Sequence, residues 1–112
     1  MNGHDVMTIT QGDQYPIGVR LEDENGESIT DADVSCVTIS LGDIVHKSTD
    51  ETLPVTYDAE EELWIFDVTQ AETLGLVMGV HQLSAEVEFN DGSVANASVA
   101  AVYTLPKDNG GA

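Results

Sequence analysis

The sequence predicts an all-β protein, a two-layer antiparallel sandwich of seven or eight strands with one short helical turn near residues 69–76. Three observations lead there. Apolar and polar residues alternate with period two along most of the chain, the pattern of half-buried strands. Turn-forming residues interrupt that alternation roughly every ten residues, the rhythm of successive short strands. Val, Ile and Thr dominate the apolar runs, and helix formers are concentrated nowhere.

Taken in order, VMTIT (6–10) is a first short strand. YPIGVRLED (15–23) follows, with Ile17, Val19 and Leu21 on one face. Pro16 places it at a sheet edge or a strand's beginning, because proline cannot donate to a ladder. ENGES (24–28) turns the chain and Ile29 begins a short return. TDAD (30–33) is a loop of residues whose side chains bond nearby backbone. VSCVTISL (34–41) sets Val37, Ile39 and Leu41 together, and Gly42-Asp43 turns it into IVHKS (44–48). VTY (55–57) and LWIFDV (63–68) flank an acidic tip, Asp58-Ala59-Glu60-Glu61-Glu62. Thr69 and Glu72 have capping-box spacing, which makes TQAETLGL a helical turn. VHQLSAEVEF (80–89) alternates most clearly, and SVANASVAAVYTL (93–105) is the last long strand, ended by Pro106.

These elements make one domain over residues 1–106, followed by a short flexible tail at 107–112. Their number and spacing suit an immunoglobulin-like sandwich, with an open barrel as the alternative. Trp64, Phe66, Val87 and Phe89 are expected in the core, Trp64 because a lone tryptophan in so small a sandwich fills its centre.

Two glycine turns decide which faces meet. A two-residue loop at Asp91-Gly92 sets Asn96 opposite Val87 and Ser98 opposite Ala85, which turns polar groups into the core. A three-residue loop, Asn90-Asp91-Gly92, pairs Val87 with Ala95, Ala85 with Ala97 and Leu83 with Val99. Burial selects the second form, since a one-residue slip moves every side chain to the opposite face. The same choice at Glu24-Asn25-Gly26 pairs Leu21 with Ile29. Gly26 and Gly92 then take the left-handed position of a bulged turn. Glu86, Glu88, Asn96 and Ser98 fall on an outward face, solvated or set against a neighbouring subunit.

The charge is extreme. Twenty-one Asp and Glu face three cations, Arg20, Lys47 and Lys107, for a net charge of −18. Such a surface repels phosphate backbones and anionic membranes, so neither nucleic acid nor membrane is an expected partner. Basic partners, bound cations or a salty environment are compatible. The single Cys36 allows no internal disulfide and is expected to be a small, partly buried side chain. No run approaches the roughly 20 apolar residues of a membrane helix. MNGHDVMTIT lacks the basic and apolar parts of a signal peptide, so synthesis in a bacterial or archaeal cytoplasm is expected.

No catalytic, cofactor-binding or metal-binding residue is expected. The acidic tip lacks the glycine and alternate spacing of a calcium loop, which makes it a solvated hairpin end. His4, His46 and His81 are too scattered for a ligand set and are expected at the surface, His46 on an edge strand. No nucleophile elbow, phosphate loop or Cys-His pair is present, so the chain is not expected to be an enzyme.

The order of features from Ile9 to Leu105 resembles a family of small tailed-phage and prophage structural proteins. The resemblance rests on ITQGD at 9–13, TYD at 56–58, LWIF at 63–66, TQAET at 69–73 and FNDG at 89–92. A looser similarity reaches the N-terminal domain of phage baseplate upper proteins, which carry a host-binding extension that this sequence lacks. The resemblance implies a non-enzymatic virion component, head-associated or decorating the capsid, present in many copies and contacting other virion proteins. A tail or baseplate accessory role is the alternative. Two further readings start from the charge: an acidic mimic of nucleic acid that inhibits a DNA-binding protein, and a halophilic source in which acidity is functionally silent.

Overall fold

The computed structural model describes residues 6–106. His4 and the tail at 107–112 lie outside them. Eight strands and one helix follow in the order β1 (Val6–Thr10), β2 (Tyr15–Val19), β3 (Val34–Leu41), β4 (Ile44–Lys47), β5 (Thr56–Asp58), β6 (Leu63–Val68), α1 (Gln70–Leu74), β7 (Gly79–Phe89) and β8 (Val94–Leu105). They form a five-stranded sheet, β1-β8-β7-β3-β4, and a three-stranded sheet, β2-β6-β5. The fold is all-β, and the inward faces of the two sheets share one core.

That core follows from the alternation. Val37, Ile39 and Leu41 of β3 and Leu83, Ala85 and Val87 of β7 point inward from the large sheet. Ile17 and Val19 of β2 with Trp64, Phe66 and Val68 of β6 answer them from the small one. Trp64 is 2% exposed and Phe66 fully enclosed. Phe89 is half-buried, packed against the rim of the core. Pro16 sits on β2, an edge of the small sheet, where a missing N–H costs no ladder bond.

The helix has the expected capping box. The Thr69 hydroxyl accepts from Glu72 N–H, and Glu72 Oε1 accepts from Thr69 N–H. Its buried Thr73 fixes the segment that follows β1: Thr73 Oγ1 accepts from Gly12 N–H at 2.9 Å and donates to Asp13 O at 2.7 Å. The QGD segment is thereby tied to the helix.

Both glycine hairpins close with three-residue loops. Gly92 N–H donates to Phe89 O and Phe89 N–H to Ser93 O, which pairs Val87 with Ala95 and Ala85 with Ala97. Ile29 N–H donates to Leu21 O, beside a bridge between Glu22 and Ser28. Gly92 and Gly26 have φ of 91° and 81°.

Three expectations need correction. β1 runs parallel to β8, so the large sheet is not wholly antiparallel. Leu83 pairs with Ala100 and not with Val99, because a bulge separates that pair from Ser84–Ser98. One extra residue reverses the alternation, so Ala100, Val102 and Thr104 face inward while Tyr103 and Leu105 face out. Third, His46 is not a surface residue: it is 2% exposed, because it shares the inward face of β4 with Ile44.

Candidate functional site

The outward face of the five-stranded sheet brings together residues from all its strands. Cross-strand rows run Lys47–Thr38–Glu86–Asn96 and Val45–Ser40–Ser84–Ser98, with Cys36–Glu88–Val94 beside them. Past the bulge come Gln82–Ala101 and Val80–Tyr103–Thr8, then Leu105 beside Thr10. All four residues assigned to an outward face, Glu86, Glu88, Asn96 and Ser98, are exposed here. Among the described side chains of this face, the charged ones are Glu86, Glu88 and Lys47. Val45 and Val94 stand beside them, and past the bulge come Val80, Tyr103 and Leu105, each of the five 45–58% exposed. Nearly all of the −18 therefore lies elsewhere.

Much of it lies in turns, where the carboxylates accept backbone N–H groups. Asp23 Oδ1 accepts from Asn25 and Glu27, Asp33 Oδ2 from Thr30, Asp50 Oδ2 from Lys47 and Asp58 Oδ1 from Glu60 and Glu61. Asp91 Oδ1 accepts from both the hydroxyl and the N–H of Ser93, which hold its carboxyl below the usual carboxylate range. A hollow of about 690 Å³ between the 23–33 loop and the 89–91 turn is lined by Asp23, Glu27, Asp33 and Asp91. Three of those four carboxylates are already engaged in shaping their own turns.

The acidic tip is built the same way. Asp58 closes the turn, and Glu62, at φ 58°, points its carboxylate to Arg20 at 3.2 Å and to the Ser28 hydroxyl at 3.1 Å. Arg20 and Glu62 are about half exposed, so this pair contributes little to stability. Among the described residues, no group of three or more His, Cys, Asp and Glu is arranged to hold a metal ion.

His46 and Glu72 form a second polar feature. His46 Nε2 lies 2.7 Å from Glu72 Oε2, and the imidazole meets the Phe66 ring edge-on at 4.8 Å. His46 Nδ1 is buried without a hydrogen-bond partner. Partial burial alone would raise the Glu72 carboxyl. The Thr69 N–H, the His46 ring and the Thr69 hydroxyl outweigh it and hold the group below the usual carboxylate range. The pair joins the edge of the large sheet to the helix that follows the small one. His81, by contrast, is half-buried, with its ring Nε2 against Val77 O.

The apolar members of the outer face were not legible as such. An unbroken period two through SVANASVAAVYTL puts Tyr103 and Leu105 on the inner face with Ala95 and Ala97. The usable signal was composition: residues 93–106 carry no Asp, Glu, Lys or Arg in a chain where such residues make up 21%. Fold and site together define an all-β sandwich with one almost uncharged, partly apolar sheet face on an acidic body. No family model matches the sequence, and no curated protein matches it.

Proposed function

We propose that this chain is a non-catalytic, protein-binding component of a multicopy assembly that meets its neighbours through the outer face of the five-stranded sheet. One observation carries the reading: on a body of charge −18, this face has a net charge of −1 and five large exposed apolar side chains. Patches of that kind mark contact surfaces, and charge depletion at the centre is typical of them. The setting, a tailed-phage virion with the head favoured over the tail, is supported by the sequence resemblance alone. The nucleic-acid mimic is disfavoured because the carboxylates bend turns and do not line one continuous surface.

The experiment is incorporation. Purified particles should contain the wild-type protein in many copies. Val80→Glu with Tyr103→Glu should leave the isolated domain folded and reduce incorporation by about tenfold or more, as loss of an apolar interface centre does. Equal incorporation of the folded variant would remove this face from consideration. Absence of the wild type from particles, with abundance in the cytoplasm, would remove the virion setting.

A further inference from the structure

A different part of the large sheet has a more specific geometry. Strand β8 is twelve residues long, and β1 pairs only with its Ala101–Leu105 half. Over Val94–Ser98 it has β7 on one side and, among the described residues, no strand on the other. Phe89 N–H donates to Ser93 O at the hairpin, and Phe89 O accepts from Gly92 N–H. In an antiparallel ladder the bonded pairs then recur at Val87–Ala95 and Ala85–Ala97. The N–H and C=O groups of Val94, Asn96 and Ser98 therefore point to the open side.

This edge is bare. Edge strands are ordinarily blunted by charge, proline or brevity. The other edges are short or interrupted: β1 has five residues, β4 has four and ends in Lys47, β5 has three, and β2 carries Pro16. The open stretch of β8 has no charge and no proline, and all five residues are exposed. Beside it the sandwich gapes. Ala95 and Ala97 sit opposite the core residues Val87 and Ala85, yet both are exposed. A groove of about 670 Å³ opens there between β8 and β2, with Met7, Val19, Leu63, Leu83 and Val99 along it.

We infer that Val94–Ser98 is an acceptor for an extended strand of another protein, one carrying apolar side chains at alternate positions and Lys or Arg between them. Main-chain bonds to Val94, Asn96 and Ser98 would supply register, and the groove would take the inward side chains. The outward positions lie two strands from Glu86 and Glu88, about 10 Å at the usual strand spacing. That is about one Debye length, so the carboxylates still favour a cation there. A second copy fits less well. It would bring another −18, and its own edge offers Ala95 and Ala97, too small to fill the groove. This site shares Val94, Asn96 and Ser98 with the outer face but engages their main chain, and Val80 and Tyr103 lie outside it, so either reading can fail without the other.

The probe is a fluorescent peptide, KVKVKVK, compared with KKKVVVK at physiological ionic strength. The alternating peptide should bind the wild-type protein about tenfold tighter or better, because only it presents one apolar side in extended form. Asn96→Pro removes an outward N–H without touching the bonds to β7 and should weaken binding by about tenfold with the melting temperature little changed. Hydrogen exchange on the wild type gives an answer that needs no variant. The peptide should slow the amides of Val94, Asn96 and Ser98 and leave those of Ala95 and Ala97, already bonded to β7, unaffected. Equal binding of the two peptides, or unaltered exchange at those three amides, would overturn the assignment. A protein that is dimeric alone and monomeric as Asn96→Pro would replace the foreign strand with a second copy.

Discussion

Trp64 serves the core in two ways. Its ring fills the space between the sheets against Tyr57, with centroids 4.9 Å apart, and its indole N–H donates to Ile29 O at 2.9 Å. The bond ties the small sheet to the return segment that follows the Gly26 turn. Trp64→Ala should therefore cost about 3–5 kcal/mol in denaturant unfolding. Trp64→Phe should fall in between, since it keeps most of the packing and leaves the Ile29 carbonyl unpaired. The alternation in LWIF was enough to place this residue. His46 was harder. Its neighbour Lys47 and its edge strand suggested solvent, while the period-two link to Ile44 pointed inward. The link prevails because the inward face of β4 meets the Phe66 ring and Glu72 supplies a partner. The Glu72 carboxyl is held below its ordinary range, so its protonation is harder in the folded state than in the unfolded one. Its contribution is complete above the unfolded value, near 4.3, and is lost as the pH falls through the folded value. Glu72→Gln should lower stability at neutral pH and flatten the stability profile below about pH 4.3, as read from melting temperatures across an acid series.

Hairpin register was readable because the two candidate loops differ in parity and only one of them buries apolar side chains. Gly92 then occupies the left-handed region, and a Cβ at that position would have nothing within 4 Å of it, so the cost of a side chain there is a backbone cost. Gly92→Val should destabilise by about 1–2 kcal/mol, read as a shift of the urea midpoint. The bulge was not readable, for a definite reason. Val99, Ala100, Ala101 and Val102 are consecutive apolar residues, and a period-two pattern has no phase across such a run. The chain uses that silence to reverse faces. The reversal leaves Thr104 Oγ1 buried without a partner and sends the Tyr103 phenol to solvent. Deleting Val99 should remove the bulge and give β8 a single phase, with Ala100, Val102 and Thr104 still inward and Tyr103 and Leu105 still outward. The expected readout is a folded domain with a modestly lower melting temperature, since the inward positions keep their side chains and only the half-buried Val99 is lost.

At the scale of the molecule, the carboxylates at the turns repel one another across a body with few cations. Stability should rise with added salt over the first few hundred millimolar, because screening shortens the reach of exposed charges to about 8 Å at physiological ionic strength and less beyond it. A melting temperature independent of salt would mean that the turns already hold their charges apart. Composition and alternation were enough for the fold class, the single core and the absence of charged side chains from residues 93–106. The pairing of β1 with β8 was beyond them, since a contact between the two ends of a chain has no local signature.

That pairing has a mechanical consequence. Val6–Thr10 lies beside Ala101–Leu105 with both strands running the same way. Tension applied to the two ends of the domain draws β1 backward and β8 forward along their common axis. The bonds between them are then loaded in shear and must yield together. A pull between residue 78 and residue 106, which flank the same end of the β7–β8 hairpin, peels its bonds one after another. Forced unfolding measures a barrier and not an equilibrium. The end-to-end pull should therefore require distinctly more force than the hairpin pull at the same loading rate, and the domain would act as a clasp when its two ends are held by different neighbours.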